Sequence, residues 1–87
     1  MFLENTKQPE TARELTFGEK AVGITFNPGG NPTVNDCKRA FAIEIDRMND
    51  LRNDAQSTVE KKRLCSIAIT ELQAAQMWVV KALTFQY

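Results

Sequence analysis

Gly29 and Gly30 lie between Asn27-Pro28 and Asn31-Pro32, and this glycine and proline cluster is the first place in the chain where residue types and spacing can do chemistry. Paired glycines let the backbone turn through positive φ and approach a ligand closely. Asn31 followed by Pro32 has the form of a helix cap and a first-turn proline, so the amides that open the next helix point back toward the loop. That combination suits an anion such as phosphate. Thr33 and Asn35 add polar groups in the first helical turn, and Lys20 upstream can add a cation. An ordinary Gly-Gly connector fits the same residues, and both readings stand at this point.

Phe17 falls on the opposite face of the first helix from Leu15, Gly18 and Val22, where it either fills an interface or offers a flat ring to a base. Lys81 and Thr84 sit one turn apart near the C-terminus, where a lysine favours the helix dipole; proximity to the glycine loop would give the two a second role. Trp78 reads as core or interface, and Glu60-Lys61-Lys62-Arg63 as a solvated first turn with pairing along the helix. Catalytic constellations are not indicated. Histidine is absent, which removes the usual general base and the commonest metal ligand. Asp46 and Asp50 share a polar helix face, and this carboxylate pair does not indicate an active site. Cys37 and Cys65 each fall inside a helical apolar pattern and read as small buried hydrophobes, so neither a metal site nor a disulfide is expected.

Helices must position these residues. Residues 1–8 lack periodicity and read as a flexible N-terminal arm, with residues 9–87 forming one helical hairpin domain. Leu15, Gly18, Val22 and Thr25 follow helical spacing, predicting a first helix from Pro9 to about Thr25. After the 27–32 loop, Val34, Cys37, Phe41, Ile45, Met48 and Leu51 give one apolar stripe to about Asp54, with Lys38, Glu44, Arg47 and Arg52 off it. Ser57-Thr58-Val59-Glu60 matches a capping box with Ser57 as the cap. A third helix then runs to about Thr84 with Leu64, Ile67 or Ala68, Leu72, Ala75, Val79 and Leu83 on one face. The short turn between them makes helices two and three an antiparallel hairpin, so the fold class is all-α.

The chain's 87 residues allow one core, and a domain this small gains much from burying surface against a partner. Met77-Trp78-Val79-Val80, Ala82-Leu83 and Phe85 go around the last helix instead of along one stripe, which points to self-association. Eleven basic residues balance eleven acidic ones, so no net field draws in DNA or an anionic membrane surface. No apolar run is as long as a membrane span and Met1-Phe2-Leu3-Glu4 lacks a signal-peptide pattern, so a cytosolic protein is expected.

Two blocks carry a resemblance: Leu15-Thr16-Phe17-Gly18-Glu19-Lys20-Ala21-Val22-Gly23-Ile24-Thr25-Phe26-Asn27-Pro28-Gly29-Gly30, and Gln73-Ala74-Ala75-Gln76-Met77-Trp78-Val79-Val80-Lys81-Ala82-Leu83-Thr84-Phe85. They resemble the hairpin domain of phage anti-defence sponges, shared by the anti-CBASS cyclic-oligonucleotide sponge and an anti-Thoeris sponge for cyclic ADP-ribose signals. The resemblance implies a non-enzymatic protein without cofactors, acting in the cytoplasm of an infected bacterium. It would bind cyclic di- and trinucleotides such as cGAMP without cleaving them, so that the CBASS effector is never activated. It also implies a compact homo-oligomer, a hexamer in the anti-CBASS branch, with pockets between protomers.

On that resemblance Phe17 stacks on a base, Lys20 offsets phosphate charge, Gly29, Gly30, Asn31 and Thr33 cradle phosphate, and Lys81 with Thr84 closes a pocket. The anti-Thoeris sponge carries extra sequence around the hairpin, so the shortness of this chain favours cyclic di- and trinucleotides over cyclic ADP-ribose. The rival class is a small helical adaptor that grips another protein with its apolar C-terminal surface. A DNA-binding helix-turn-helix is disfavoured by the charge balance.

Overall fold

The computed structural model describes residues 13–87, and every regular element among them is an α-helix. The expected arm over residues 1–8 and the expected helix start at Pro9 lie outside the described residues.

The first helix, α1, is shorter than its spacing predicted and runs Phe17–Val22. Thr16 starts it through a capping box: its hydroxyl accepts from the Glu19 amide, and the Glu19 carboxylate accepts from the Thr16 amide. Gly23, in the left-handed region at φ 62°, stops it. The Gly23 and Ile24 amides reach back to the Lys20 and Glu19 carbonyls, the Schellman closure that leaves Thr25 outside the helix.

Helix α2, Pro32–Arg52, begins as expected on Asn31, whose side-chain oxygen accepts from the Thr33 amide, with Pro32 in the first turn. Helix α3 covers Val59–Thr84 and its cap is Thr58, one residue later than expected. The Ser57 hydroxyl is spent elsewhere, donating 2.7 Å to the Leu51 carbonyl across the turn, and this leaves Thr58 to accept from Lys61.

The helices form an antiparallel α2–α3 hairpin with α1 laid along α2. Val22, Ala42, Ile45 and Ile69 form the core, flanked by Ala21, Ile24, Phe41, Met48 and Leu72. Two expected faces are corrected. On α2, Lys38 was placed off the apolar stripe but is only 5% exposed, because its position continues the run Val34, Lys38, Ala42, Ile45 and its chain is long enough to find acceptors. On α3 the buried face is Cys65, Ile69 and Gln76 with Leu72 half-buried, while Leu64, Ile67, Val79 and Leu83 face outward. Apolar residues surround this helix, so periodicity alone did not determine which side the single partner helix would cover.

Gly18 fixes the α1–α2 approach, since a Cβ there would stand 2.1 Å from the Ala42 carbonyl oxygen. Its amide donates 2.7 Å to Asp46, so a carboxylate read as part of a polar face instead caps the short helix.

Candidate functional site

At the open end of the hairpin, the loop between α1 and α2 faces the last turns of α3 across a cavity of about 220 Å³. Phe26, Pro28, Val34, Val80 and the Lys38 stem provide most of its wall, and Asn27, Gly29, Asn31 and Thr84 complete it.

The loop is tied internally. Asn27 donates through its side-chain amide to the Asn31 carbonyl at 2.8 Å and to the Asn35 side-chain oxygen at 2.9 Å. The Phe26 amide donates to the Gly23 carbonyl, and the Gly30 amide to the Asn27 carbonyl. Of the paired glycines, Gly30 has positive φ, at 64°, while Gly29 does not. Lys38 holds the loop from below: its Nζ donates to the carbonyls of Gly23, at 3.0 Å, and Phe26, and lies 5.4 Å from the Phe26 ring centroid. Among the described residues no carboxylate pairs with this buried ammonium, so the loop carbonyls and the ring face are what stabilise it.

Gln76 is the other buried polar side chain, 5% exposed. It lies two helical turns beyond Ile69, as Lys38 lies two turns before Ile45, so the antiparallel hairpin sets Gln76 and Lys38 at one level beneath the cavity.

Gly29, Asn31 and Thr84 of the expected site meet at this cavity, whereas Gly30, Thr33 and Lys81 are absent from its lining. The Gly30 and Thr33 amides, expected to face an anion, are already donated within the loop and its cap. Thr84 donates its hydroxyl 2.9 Å to the Val80 carbonyl.

Phe17 and Lys20 stand apart. The Phe17 ring faces the Arg52 guanidinium at 5.4 Å, and Arg52 is anchored to Asn49 and Ser66 near the hairpin turn. Lys38 and Arg52 are fourteen residues apart on α2, roughly 21 Å along the axis, so within one protomer the Phe17 ring and the cavity lie far from each other. Lys20 is exposed and pairs with Glu14 at 2.9 Å, an ion pair that lowers the Glu14 pKa.

The lining residues that sequence reasoning left out of the expected site are Phe26, Asn27, Pro28, Val34, Lys38 and Val80. A signal existed for Lys38, which falls one turn after Val34 and two turns before Ile45. Its charge had assigned it to the solvent face.

Among the described residues, no group of three or more His, Cys, Asp or Glu side chains is placed to hold a metal ion. Both cysteines are free; Cys65 is buried, and burial pushes the half-buried Cys37 thiol up, away from the reactive thiolate. No described helix is long and apolar enough to cross a membrane.

No curated protein and no solved structure matches the chain. A family model described as "Acb2/Tad1, hairpin domain" matches residues 19–84, from within α1 to the last residue of α3. Proteins of this family are sponge-type binding proteins and are not known enzymes. The chain therefore belongs to the Acb2/Tad1 hairpin-domain family, the anti-CBASS and anti-Thoeris group, whose membership implies a phage anti-defence sponge for cyclic nucleotide signalling molecules.

Proposed function

We propose that this protein binds and holds cyclic di- and trinucleotide immune messengers, cGAMP among them, without cleaving them, and so keeps the CBASS effector silent in the cytoplasm of the infected host. The observation that carries this reading is that the family match spans both walls of the cavity, from the 26–31 loop to Thr84.

The protein acts as a homo-oligomer, a hexamer, with each pocket built between protomers. Two observations support this. Met77, Trp78 and Phe85 are exposed on one chain, Trp78 at 69%, which is apolar surface that a neighbour would cover. The separation of Phe17 from the cavity is removed when one protomer supplies the Phe17 end and another supplies the cavity lined by Gly29, Asn31 and Thr84.

Calorimetric titration with cyclic dinucleotides, cyclic trinucleotides and cyclic ADP-ribose isomers tests the reading. Saturable binding of the first two classes is expected, with a stoichiometry set by shared pockets. Binding of cyclic ADP-ribose isomers alone would move the protein to the anti-Thoeris kind of sponge. No binding anywhere in the panel would overturn the reading in favour of a protein-binding adaptor.

A further inference from the structure

Phe26 is 68% exposed, yet both of its backbone polar groups are hydrogen-bonded. Solvent-facing loop aromatics ordinarily move freely, but here the residue's amide and carbonyl are both engaged, the first by Gly23 and the second by the Lys38 ammonium. The next residue, Asn27, is tied to Asn31 and Asn35. The same ammonium faces the Phe26 ring. A flat hydrophobic surface is thus held beside a cavity whose far wall is Val80 and Thr84.

The size of the cavity decides what it can take. Pockets that enclose a whole drug-sized ligand run from about 300 Å³ upward. At about 220 Å³ this one is smaller and suits a single ring system, not an entire cyclic dinucleotide. Its mostly apolar wall with a polar rim fits a heteroaromatic base better than a phosphate. The Thr84 hydroxyl hydrogen is spent on the Val80 carbonyl, which leaves the oxygen to accept from a base amino group.

We propose that Phe26 is the stacking platform for one base of the ligand, with Val80 and Thr84 as the opposing wall and Lys38 as the positioning residue that holds the platform in place. This rests on the cyclic-nucleotide reading above and names the residue that takes the base at this end of the pocket.

The test is titration of a cyclic dinucleotide carrying 2-aminopurine, whose fluorescence is quenched on stacking, into the wild-type protein, Phe26→Ala and Phe26→Tyr. Phe26 is largely exposed, so both variants should keep the wild-type helical circular-dichroism signal. Phe26→Ala is expected to weaken binding about ten- to a hundredfold and to lose much of the quenching, as removal of a base-stacking ring does. Phe26→Tyr, which keeps the ring, is expected to retain both. Wild-type binding that Phe26→Ala leaves unchanged in affinity and quenching would overturn this inference alone. A wild-type protein that binds no cyclic nucleotide would overturn the reading beneath it, and the inference with it.

Discussion

Gly18 rests against Ala42 so closely that a Cβ on the glycine would stand 2.1 Å from the alanine carbonyl oxygen. The obstruction is backbone, which cannot swing aside as a flexible side chain would. Gly18→Ala must therefore push α1 away from α2, breaking the 2.7 Å bond from the Gly18 amide to Asp46 and loosening Val22 in the core. A loss of about 1–3 kcal/mol is expected, at the upper end of that range, read as a lower urea midpoint. An unchanged midpoint would contradict the close approach.

Lys38 gives a local prediction. Lys38→Met keeps the stem that lines the cavity but removes the donor from the Gly23 and Phe26 carbonyls. Amide exchange at Phe26 and Gly30 should accelerate, while amides around Ile45 and Ile69 should keep their protection, because the hairpin core does not depend on the ammonium. Equal acceleration in loop and core would show that Lys38 supports the whole fold instead of the loop.

The helix frame was legible in the sequence because its signals are local: Asn31-Pro32 marks the start of α2, and the 27–32 cluster has to be a loop. The capping box at Thr16 and Glu19 is equally local, but the apolar spacing that continues upstream of it predicts a longer helix. What could not be read was which side of α3 is buried and where Lys38 goes. Both depend on tertiary partners: Leu64 and Ile67 are as apolar as Ile69, and a lysine is buried only where carbonyls wait for it. Of the candidate cavity, the sequence pointed to three lining residues, Gly29, Asn31 and Thr84. Phe17 could not be separated from them without knowing that α1 runs alongside α2 and ends near the loop, with Phe17 toward the hairpin turn.

Acid should act through Glu19. The Arg13 guanidinium, bonded at 2.9 Å and 2.7 Å, and then the Thr16 amide lower its pKa from 4.5 to about 2. The folded value lies below the ordinary one, so the ionised carboxylate contributes stability above about pH 4.5 that is lost as pH falls toward 2. Lys20 lowers Glu14 and Arg63 lowers Glu60, so these two add to the decline with the same sign. Urea midpoints of wild type and Glu19→Gln should differ at pH 6 and converge near pH 2. The difference is small because the pair is near solvent, and a gap that persists to pH 2 would exclude an electrostatic origin.

The exposed end of α3 yields a prediction about assembly. Trp78→Asp places a charge in the apolar surface that includes Met77 and Phe85. Light scattering should give a multiple of the chain mass for wild type and a smaller particle for the variant, with helicity kept because Trp78 is not part of the core. A wild-type monomer would contradict the shared-pocket arrangement.

Sequestration without cleavage is tested most directly by recovering the ligand. A cyclic dinucleotide is incubated with excess protein, the free fraction is measured by equilibrium dialysis, the protein is heat-denatured, and the released nucleotide is weighed by mass spectrometry. The free ligand should fall to near zero before denaturation, and the full amount should return afterwards at its original mass. Ligand that stays free throughout, or returns as a linear or otherwise altered product, would contradict a sponge.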